Sequence, residues 1–589
     1  MPGFIIHIGE DDFHFAPETR RHLIVDRIDG RGLCVERRVV NKFMADRLFD
    51  EDDDYLIVVE GVVLNNHQLI EKYSSTNWKR CVIDMYRQNG DTFFNEFRGS
   101  FSGALYDKRS NKWLIYTGHT GEKQVFFSKT PDGFLLGSEM RFVVEALKLN
   151  ALPVSLDMTG AYLSLTNGFC IEDRTLVKEV HKLIAGHFIR IISGELEIIR
   201  YHRFSNKPNN TITQRSAVES IDRLFRQAIR RQFDKDLEYG YRHLACLSGG
   251  LDSRMTVWVA HEMGYTDQTN IDYSQSGYLD FEISQKIATD LHHDYFFHSL
   301  DGGDFIPRCQ FVSPITYGSG FLLGHGFSME QFINFEPFGL MHTGQIGDAI
   351  IGSFFQKNEY NTNVKLGQGA YSTVLMDRLS DYHFLEQYEN EEIYCLYTRA
   401  FTGANQGLLT FQENTESCSP FTDVDFLEYC YSIPLNLRFN HKIYIDWILE
   451  KYSGAAEYVW EKIGRTIKPF DNLPPRKMKV MGYEVPHISD PAFKVYLKGF
   501  VLRRLGIKKK GEKRSSIRMI SEKGMNPVDY WYNTNPKIRV FINGFWEKNK
   551  DIVPDACLRD DMEHLMEQET VFDKLLCCNV LSAIKLILS

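Results

Sequence analysis

A short segment rich in glycine and hydroxyl groups has the residue types needed to bind phosphate: Ser248-Gly249-Gly250-Leu251-Asp252-Ser253. Two adjacent glycines let the backbone turn sharply and bring its N–H groups close to an anion. Ser248 and Ser253 add hydroxyl donors. We call residues 248–253 the phosphate loop, because this pattern predicts that they bind the phosphates of a nucleotide.

The residues around the phosphate loop predict a strand before it and a helix after it. His243–Leu247 is a short apolar strand, and a helix follows from about Asp252, with Met255, Val259 and Met263 recurring on one face. The positive end of the helix dipole would favour a bound anion. No lysine stands at the turn, which excludes the kinase-type phosphate loop. SGGLDS after a strand instead resembles the signature of PP-loop ATP pyrophosphatases, which cut ATP between its α and β phosphates.

Residues 1–204 are predicted to be β-rich. The predicted strands are Phe4–Ile8, Tyr55–Leu64, Ser102–Tyr106, Trp113–Tyr116 and Phe134–Leu136. Several segments between and within them resemble successive blocks of the glutaminase domain of asparagine synthetases, among them EGVVLNNHQLI (60–70), FRGSFSGALYD (97–107) and GSEMRFVVEAL (137–147). The resemblance implies a four-layer αββα sandwich of the N-terminal-nucleophile class.

Residues 217–475 are predicted to form a second, α/β domain after a polar linker at 205–216. Helices over Ala217–Phe233 and Asp280–Leu291 alternate with a strand over Thr269–Ser274. Such alternation predicts a parallel sheet that binds ligands at the carboxyl ends of its strands. Segments 419–452 and 464–470 resemble the PFLDxxF block and the lysine loop of asparagine synthetases, so the resemblance runs from residue 1 to about 475. It implies a PP-loop domain of the adenine nucleotide α-hydrolase type.

The resemblance also implies the roles of individual residues. Asp252 and Asp348 occupy the positions of the family's metal-binding aspartates, which implies Mg²⁺ as a cofactor beside ATP. The implied ATP-binding residues are Leu247, Ser248, Gly249, Gly250, Asp252, Ser253, Thr343 and Gly344. Lys468, in the lysine loop, would reach the α phosphate or the developing tetrahedral centre. Gln345 replaces a loop glutamate of the family, and because an amide takes no proton at neutral pH, we expect it to orient substrate by hydrogen bonds.

The glutaminase-like half departs from the family where its chemistry should lie. The family nucleophile is a cysteine exposed as residue 1, whereas here position 2 is Pro2 and the first cysteine is Cys34. The family's R-H-R-G-P block is absent from residues 27–38. Glu60 replaces the asparagine of an N-G-E block and would repel the α-carboxylate of glutamine. We therefore expect this half to be folded but inactive as a glutaminase.

Length and composition set the remaining expectations. A chain of 589 residues exceeds one core, and residues 476–589 are predicted to be a helical extension, with an amphipathic helix at Val495–Leu505, a basic tail at 507–516 and closing helices over Asp560–Leu588. A net charge of −10 argues against nucleic-acid binding, and no stretch reaches the length of a membrane span. The N-terminus lacks the pattern of a signal peptide, and eleven cysteines without a CxxC pair indicate free thiols in the cytoplasm. A homodimer is compatible with the sequence.

Together these features predict an ATP-dependent ligase that activates a carboxylate as an acyl-adenylate and joins it to an amine or ammonia. Its substrates would be small-molecule or peptide carboxylates and amines, as in β-lactam synthetases and lasso-peptide cyclases, which share the loss of glutamine use. Three alternatives stay open: an asparagine synthetase that uses ammonia or glutamine, a PP-loop enzyme of another chemistry such as thiolation, and a non-enzymatic scaffold.

Overall fold

Two antiparallel sheets occupy the first part of the chain. The computed structural model describes residues 2–10, 12–308, 332–352, 354, 358–469 and 524–588, together with the backbone at 477–480 and 483–486. The first twelve strands are β1 Gly3–Ile8, β2 Leu23–Gly30, β3 Leu33–Val40, β4 Leu48–Glu51, β5 Tyr55–Val63, β6 Gly99–Asp107, β7 Lys112–Thr117, β8 Phe126–Lys129, β9 Phe134–Gly137, β10 His181–Lys182, β11 His187–Ile192 and β12 Glu195–Arg200. They form one six-stranded sheet in the order β10-β8-β9-β1-β3-β2 and another in the order β12-β11-β7-β6-β5-β4.

Helices cover the outer faces of both sheets. These helices are α1 Asn66–Lys72, α2 Trp78–Asn89, α3 Met140–Leu149 and α4 Met158–Asn167. Every residue of β5 is buried, because its side chains alternate between the two faces of the sheet and both faces are covered. Ile57 packs with α2 and Leu56 packs between the sheets. On the other sheet, Leu135 packs with α3 and α4. The four layers agree with the expected αββα sandwich.

A parallel sheet forms the core of the second half. Its strands are β13 Arg242–Cys246, β14 Gln268–Ser274, β15 Asp294–Ser299, β16 Phe338–His342 and β17 Ser417–Cys418, in the order β15-β14-β13-β16-β17. The described α-helices of this half are α5 Gln214–Glu238, α6 Leu251–Glu262, α7 Leu279–Asp290, α8 Gly347–Ile351, α9 Glu391–Cys395, α10 Val424–Ser432, α11 Leu435–Arg438, α12 Lys442–Lys451 and α13 Ser453–Ala456. The predicted alternation and the parallel sheet are confirmed.

Helix α5 begins earlier than the sequence pattern predicts. Thr213 and Ser216 form a capping box, in which each side chain accepts a hydrogen bond from the backbone N–H of the other. The last residues of the predicted linker at 205–216 are therefore helical.

The described residues of the last part of the chain form a hairpin and four helices. Strands β18 Lys477–Val480 and β19 Tyr483–Pro486 precede α14 Val528–Thr534, α15 Pro536–Asn549, α16 Ala556–Met566 and α17 Val571–Leu588. The expected extension at 476–589 is thus not helical throughout, although the closing helices over Asp560–Leu588 are confirmed as α16 and α17. The predicted helix at 495–505 and its basic tail at 507–516 lie outside the described residues. None of the described helices combines the length and apolarity that crossing a membrane requires.

Helices α16 and α17 pack on the first half of the chain, not only on the second. Buried side chains of α17, such as Leu581, share one hydrophobic cluster with Leu147 of α3 and Leu163 of α4. Tyr162 of α4 donates a hydrogen bond of 2.8 Å to Asp561 of α16. The extension therefore covers the α3–α4 layer of the sandwich.

Candidate active site

A cavity of about 430 Å³ lies at the carboxyl ends of β13, β14 and β16. Nine of the predicted site residues line it: Leu247, Ser248, Gly250, Asp252, Ser253, Thr343, Gly344, Gln345 and Asp348. Gly249 and Lys468 are not among the lining residues. Strands that are far apart in sequence thus bring the phosphate loop and the loop after β16 to one site, where ligands of parallel sheets bind.

The phosphate loop is held by its own serines and by an aspartate from α7. The hydroxyl of Ser253 accepts a hydrogen bond of 2.9 Å from the backbone N–H of Ser248 and lies 2.8 Å from the Ser248 hydroxyl. The N–H of Gly249 donates to Asp280 Oδ1 at 2.8 Å. Burial and nearby acids raise the pKa of Asp280 to about 7. The Gly249 N–H therefore fixes the shape of the turn, instead of pointing into the cavity as the sequence pattern suggested.

Two aspartates of the cavity lining, Asp252 and Asp348, are hydrogen-bonded to each other. Asp252 Oδ2 accepts a hydrogen bond of 2.8 Å from the backbone N–H of Asp348, and Oδ1 accepts one of 2.8 Å from the hydroxyl of Tyr444. Burial, reinforced by the negative charge of Asp348, raises the pKa of Asp252 to about 8. Any Cβ at Gly344 would lie 2.2 Å from the backbone nitrogen of Ser253, so only glycine lets the two loops approach this closely.

The carboxylate pair fits a divalent cation. Mg²⁺ is bound in proteins by one or two carboxylates together with phosphate oxygens and water. A bound cation would also relieve the repulsion that raises the pKa of Asp252. Asp252 and Asp348 are therefore the residues of this cavity that would hold Mg²⁺.

The side chain of Gln345 is fixed by its surroundings. Its Nε2 donates a hydrogen bond of 2.6 Å to the carbonyl of Ala404, and its backbone carbonyl accepts one of 3.0 Å from the hydroxyl of Ser419. The amide oxygen is left as the group that can reach a ligand. The orienting role expected of Gln345 stays a prediction.

A different lysine from the predicted one reaches the cavity. Lys462 lines it, whereas Lys468 is exposed and lies outside the lining. The buried guanidinium of Arg254 explains the placement, because it donates to the carbonyls of Gly249 (2.9 Å) and Val459 (2.6 Å) and so joins the phosphate loop to the segment that leads into Lys462. The sequence pattern of the lysine loop pointed to Lys468 and gave no signal for Lys462 or Arg254.

His441 and Tyr444 are further cavity residues that the sequence reasoning missed. His441 has φ = 60° and follows Asn440 with φ = 54°, a left-handed backbone that few non-glycine residues adopt, although Asn and His adopt it more often than most. Burial and the nearby charge of Lys462 lower the pKa of His441 to about 4, so its ring is neutral at pH 7. Within the described structure its buried Nε2 has no hydrogen-bond partner. Strained backbone and an unsatisfied nitrogen at one position are features of functional sites.

The cavity also contains a thiol. Cys246 lies at the end of β13, and burial raises its pKa to about 12. The reactive form of cysteine is the thiolate. Cys246 is therefore protonated at neutral pH and is a poor nucleophile.

Glu60 of the first half does not face an open site. Its Oε1 accepts a hydrogen bond of 2.7 Å from Arg47 and lies 3.4 Å from Lys123 Nζ, and all three side chains are buried. The expectation that Glu60 would act by repelling a bound glutamine is corrected, because its charge is paired within the protein. Cys34 is buried in β3, and its pKa is raised to about 12 by burial.

Comparison with known proteins gives matches in both halves. Residues 41–202 match the family model described as a glutamine amidotransferase domain. A glutamine-hydrolyzing asparagine synthetase 2 of Methanocaldococcus jannaschii is 24% identical over 330 residues, which are 52% of this chain and 62% of that protein. Asparagine synthetases of Dictyostelium discoideum and Bacillus subtilis are 22% and 23% identical, over 45% and 35% of this chain and 46% and 34% of those proteins. The matches thus span between about a third and three fifths of these relatives' length.

The chain thus combines a segment that is similar to glutamine amidotransferase domains with a second half built on a parallel sheet. Together, the family match and these relatives support membership of the asparagine synthetase superfamily.

Proposed function

We propose that the chain is an ATP-dependent ligase that activates a carboxylic acid as an acyl-adenylate and transfers the acyl group to an amine or to ammonia. One substrate carboxylate oxygen attacks the α phosphorus of ATP, and pyrophosphate leaves. The amine nitrogen then attacks the acyl carbon, AMP leaves, and an amide is formed. The reaction is of the asparagine synthetase type and takes place in the second half, for which we keep the proposed PP-loop domain at 217–475, beside a glutaminase-like domain at 1–204.

The observation that carries this proposal is the meeting of the phosphate loop with a second acidic loop at one end of the parallel sheet. Asp252 and Asp348 are joined by a hydrogen bond of 2.8 Å across the two loops. The charge that develops during adenylation lies on phosphate oxygens, so catalysis depends on positioning and on electrostatic stabilisation. The serine hydroxyls of the phosphate loop and Lys462 supply donors and positive charge on the walls of the same cavity.

Mg²⁺ bound by Asp252 and Asp348 would neutralise charge on the phosphates. The chain's own groups would do the rest. Tyr444 orients the Asp252 carboxylate through its hydroxyl, and Gln345, anchored on Ala404, presents its amide oxygen to the substrate. Lys462 would attract the leaving pyrophosphate at the cavity wall.

We propose further that this chain does not hydrolyse glutamine. Attack on a glutamine amide needs a thiolate, a base and an oxyanion hole in one place. In the described first half, Glu60 is locked against Arg47 and Lys123 and cannot serve as a binding group for a ligand. The amine would then reach the second half directly.

Two rival functions make different demands on the cavity. An asparagine synthetase would release pyrophosphate in response to aspartate, and the names of the relatives keep this rival open. Thiolation would need a reactive thiol, but the pKa of the cavity cysteine, Cys246, is raised by burial. We therefore rank the amide-forming ligase proposed above first, and an asparagine synthetase second.

The test is ATP–pyrophosphate exchange with a panel of carboxylic acids, including aspartate. We expect acid-dependent exchange in the unmodified protein and its loss, by 100-fold or more, in Asp252→Asn, as is typical for removal of one preorganised electrostatic group (about 10²–10³-fold). Asp290→Asn, at the exposed end of α7, is the control and should keep full exchange. Full exchange in a folded Asp252→Asn variant would refute the assignment. Exchange with aspartate and with no other acid would make asparagine synthesis the favoured function.

A further inference from the structure

A buried group of four charged side chains joins the two halves of the chain. Arg47 lies between two glutamates, with Nη1 2.7 Å from Glu60 and Nη2 2.7 Å from Glu416, and Lys123 Nζ lies 2.9 Å from Glu416. Three of these residues belong to the first half, and Glu416 belongs to the second. Each side chain is at most 3% exposed. We call these four residues the buried charge cluster.

Glu416 stands directly before β17, the edge strand of the parallel sheet. The carbonyl of Glu416 accepts a hydrogen bond of 2.8 Å from the N–H of Met341 in β16. The first half therefore holds the strand β17 at its start, through the side chain of its preceding residue.

The end of β17 is hydrogen-bonded to residues 343–348, which we call the cavity loop. The carbonyl of Cys418 accepts a hydrogen bond of 2.9 Å from the N–H of Thr343 and one of 3.0 Å from the Thr343 hydroxyl. The hydroxyl of Ser419 donates to the carbonyl of Gln345 at 3.0 Å. A displacement of β17 would thus move the loop that carries Gln345 and Asp348.

A second anchor acts on β16 from the same part of the first half. Lys42 Nζ donates to the carbonyl of Phe335 at 2.8 Å and also to the carbonyl of Phe338, the first residue of β16. The carbonyl of Lys42 accepts a hydrogen bond of 3.0 Å from Arg47 Nε. Side chains of residues 42–47 therefore contact the starts of both β16 and β17.

We infer that Arg47 and Lys123 are positioning residues for the cavity of the second half, and that the glutaminase-like half serves as the support that sets the geometry of the cavity loop. The buried charge cluster has no net charge, and apolar side chains of similar size can replace buried ion pairs with little loss of stability. What ion pairs add is a fixed geometry, since each cationic group must lie within reach of its carboxylate. The kinetic part of this inference rests on the proposed function.

A charge-balanced double variant, Lys123→Met/Glu416→Met, tests it. The change removes one charge of each sign and leaves the Arg47–Glu60 pair. The control is Arg203→Met/Glu386→Met, which also removes ion pairs between the halves, those of Glu386 with Arg203 (2.8 Å), Arg200 (2.9 Å) and His187 (3.0 Å), but none with hydrogen bonds to β16 or β17. Both variants are measured for melting temperature, for pyrophosphate exchange and for hydrogen exchange at the backbone N–H groups of Thr343 and Asp348.

We expect the two variants to have the same melting temperature. Only the Lys123→Met/Glu416→Met variant should lose pyrophosphate-exchange activity, by ten-fold or more and chiefly in kcat. Its Thr343 and Asp348 amides should exchange hydrogen at least ten-fold faster, and those of the control should not change. Equal effects in the two variants, or no effect in either, would overturn the inference. If the test variant fails to fold, Glu416→Gln replaces it and should show a smaller loss in the same direction; wild-type kinetics and amide exchange there would equally overturn it.

Failure of the proposed function gives a different result. If the unmodified protein shows no pyrophosphate exchange with any acid, the assigned reaction fails. The hydrogen exchange of Thr343 and Asp348 still decides whether the first half positions the cavity loop.

Discussion

Two lysines of one segment, six residues apart, provide a matched test of the cavity. Lys462 lines the cavity and Lys468 lies outside the lining. We expect Lys462→Met to lower acid-dependent pyrophosphate exchange by about 100-fold, because it removes a positive charge from the phosphate end of the site. Lys468→Met should keep exchange within a few-fold of the unmodified protein. A large loss in Lys468→Met with a small one in Lys462→Met would restore the role that the sequence resemblance implied.

Gln345 provides a second test at the residue scale. In Gln345→Glu, a carboxylate oxygen would face the carbonyl of Ala404, which now accepts from Gln345 Nε2 at 2.6 Å. Two acceptors repel, so we expect exchange activity to fall by ten-fold or more, with no new dependence on pH near the glutamate pKa of about 4.3. Gln345→Met, which loses the same hydrogen bond without adding a charge, is the control and should lose less. A gain in turnover for the glutamate variant would show that the position needs a base.

The residues of the site could be predicted where the chain itself brings them together. Ser248 lies in the turn after β13, and Asp252 and Ser253 lie in the first turn of α6, so closeness in sequence alone placed them together. Lys462 and His441 reach the cavity through contacts between distant segments, such as those of Arg254 with Gly249 and Val459. No local pattern encodes such contacts, and the sequence therefore favoured Lys468.

At the scale of elements, two histidines connect α6 with the end of α7. His261 Nδ1 lies 2.9 Å from His293 Nε2, and His293 Nδ1 lies 2.9 Å from Asn270 of β14. Burial, together with the neighbouring His261, lowers the pKa of His293 to about 4. Burial also lowers the pKa of His261. Both rings are therefore neutral in the folded protein at pH 7.

The His261–His293 pair should make the free energy of unfolding depend on pH. An unfolded histidine has a pKa of about 6.5, so between that value and about 4 the unfolded chain binds more protons than the folded one. The contribution of His293 is fully present above about pH 6.5 and is lost as pH falls towards 4. As pH falls through this window, the unmodified protein should lose more unfolding free energy than the His293→Gln variant. The difference should be on the order of 1 kcal/mol, a value already discounted for the partial exposure of His293. Urea titrations at pH 7.5, 5.5 and 4.5 measure it, and an unchanged pH dependence would contradict it.

Elements were predicted well where periodicity is strong and less well where a cap decides. Helix α7 spans Leu279–Asp290 against a predicted Asp280–Leu291, because apolar residues such as Ile287 recur on its buried face. Helix α5 was predicted to start at Ala217, since Thr213 and Ser216 look like linker residues until their reciprocal hydrogen bonds are seen. The β18–β19 hairpin was missed, although its short strands, KMKV and YEVP, alternate polar and apolar residues.

At the scale of the whole molecule, helix α17 should stabilise the first half of the chain. We expect Leu581→Ala to cost about 2–5 kcal/mol of unfolding free energy, as for other fully buried leucines. Hydrogen exchange should then quicken in α3 and α4 as well as in α17, because all three share one hydrophobic cluster. The control is Leu588→Ala, at a side chain that is 55% exposed, and it should stay within about 0.5 kcal/mol of the unmodified protein. Faster exchange confined to α17 would show that the first half is stable without it.

No sequence pattern predicted that the last helices would cover the sandwich. Resemblance ended near residue 475, and the apolar face of α17 indicates only that something covers it. The partner face on α3 and α4 looks like an ordinary core-facing layer, so nothing local joins Leu163 to Leu581.

The packing of α17 on α4 has a consequence for synthesis on the ribosome. About 400 residues separate Asn167, at the end of α4, from Val571, at the start of α17. At a translation rate of about 5–20 residues per second, the apolar outer face of α3 and α4 waits roughly 20–80 s for its cover. During that time the nascent first half exposes a surface that can bind chaperones or other nascent chains. Emergence of α17, and not emergence of the first half, is therefore the step at which this surface is finally buried.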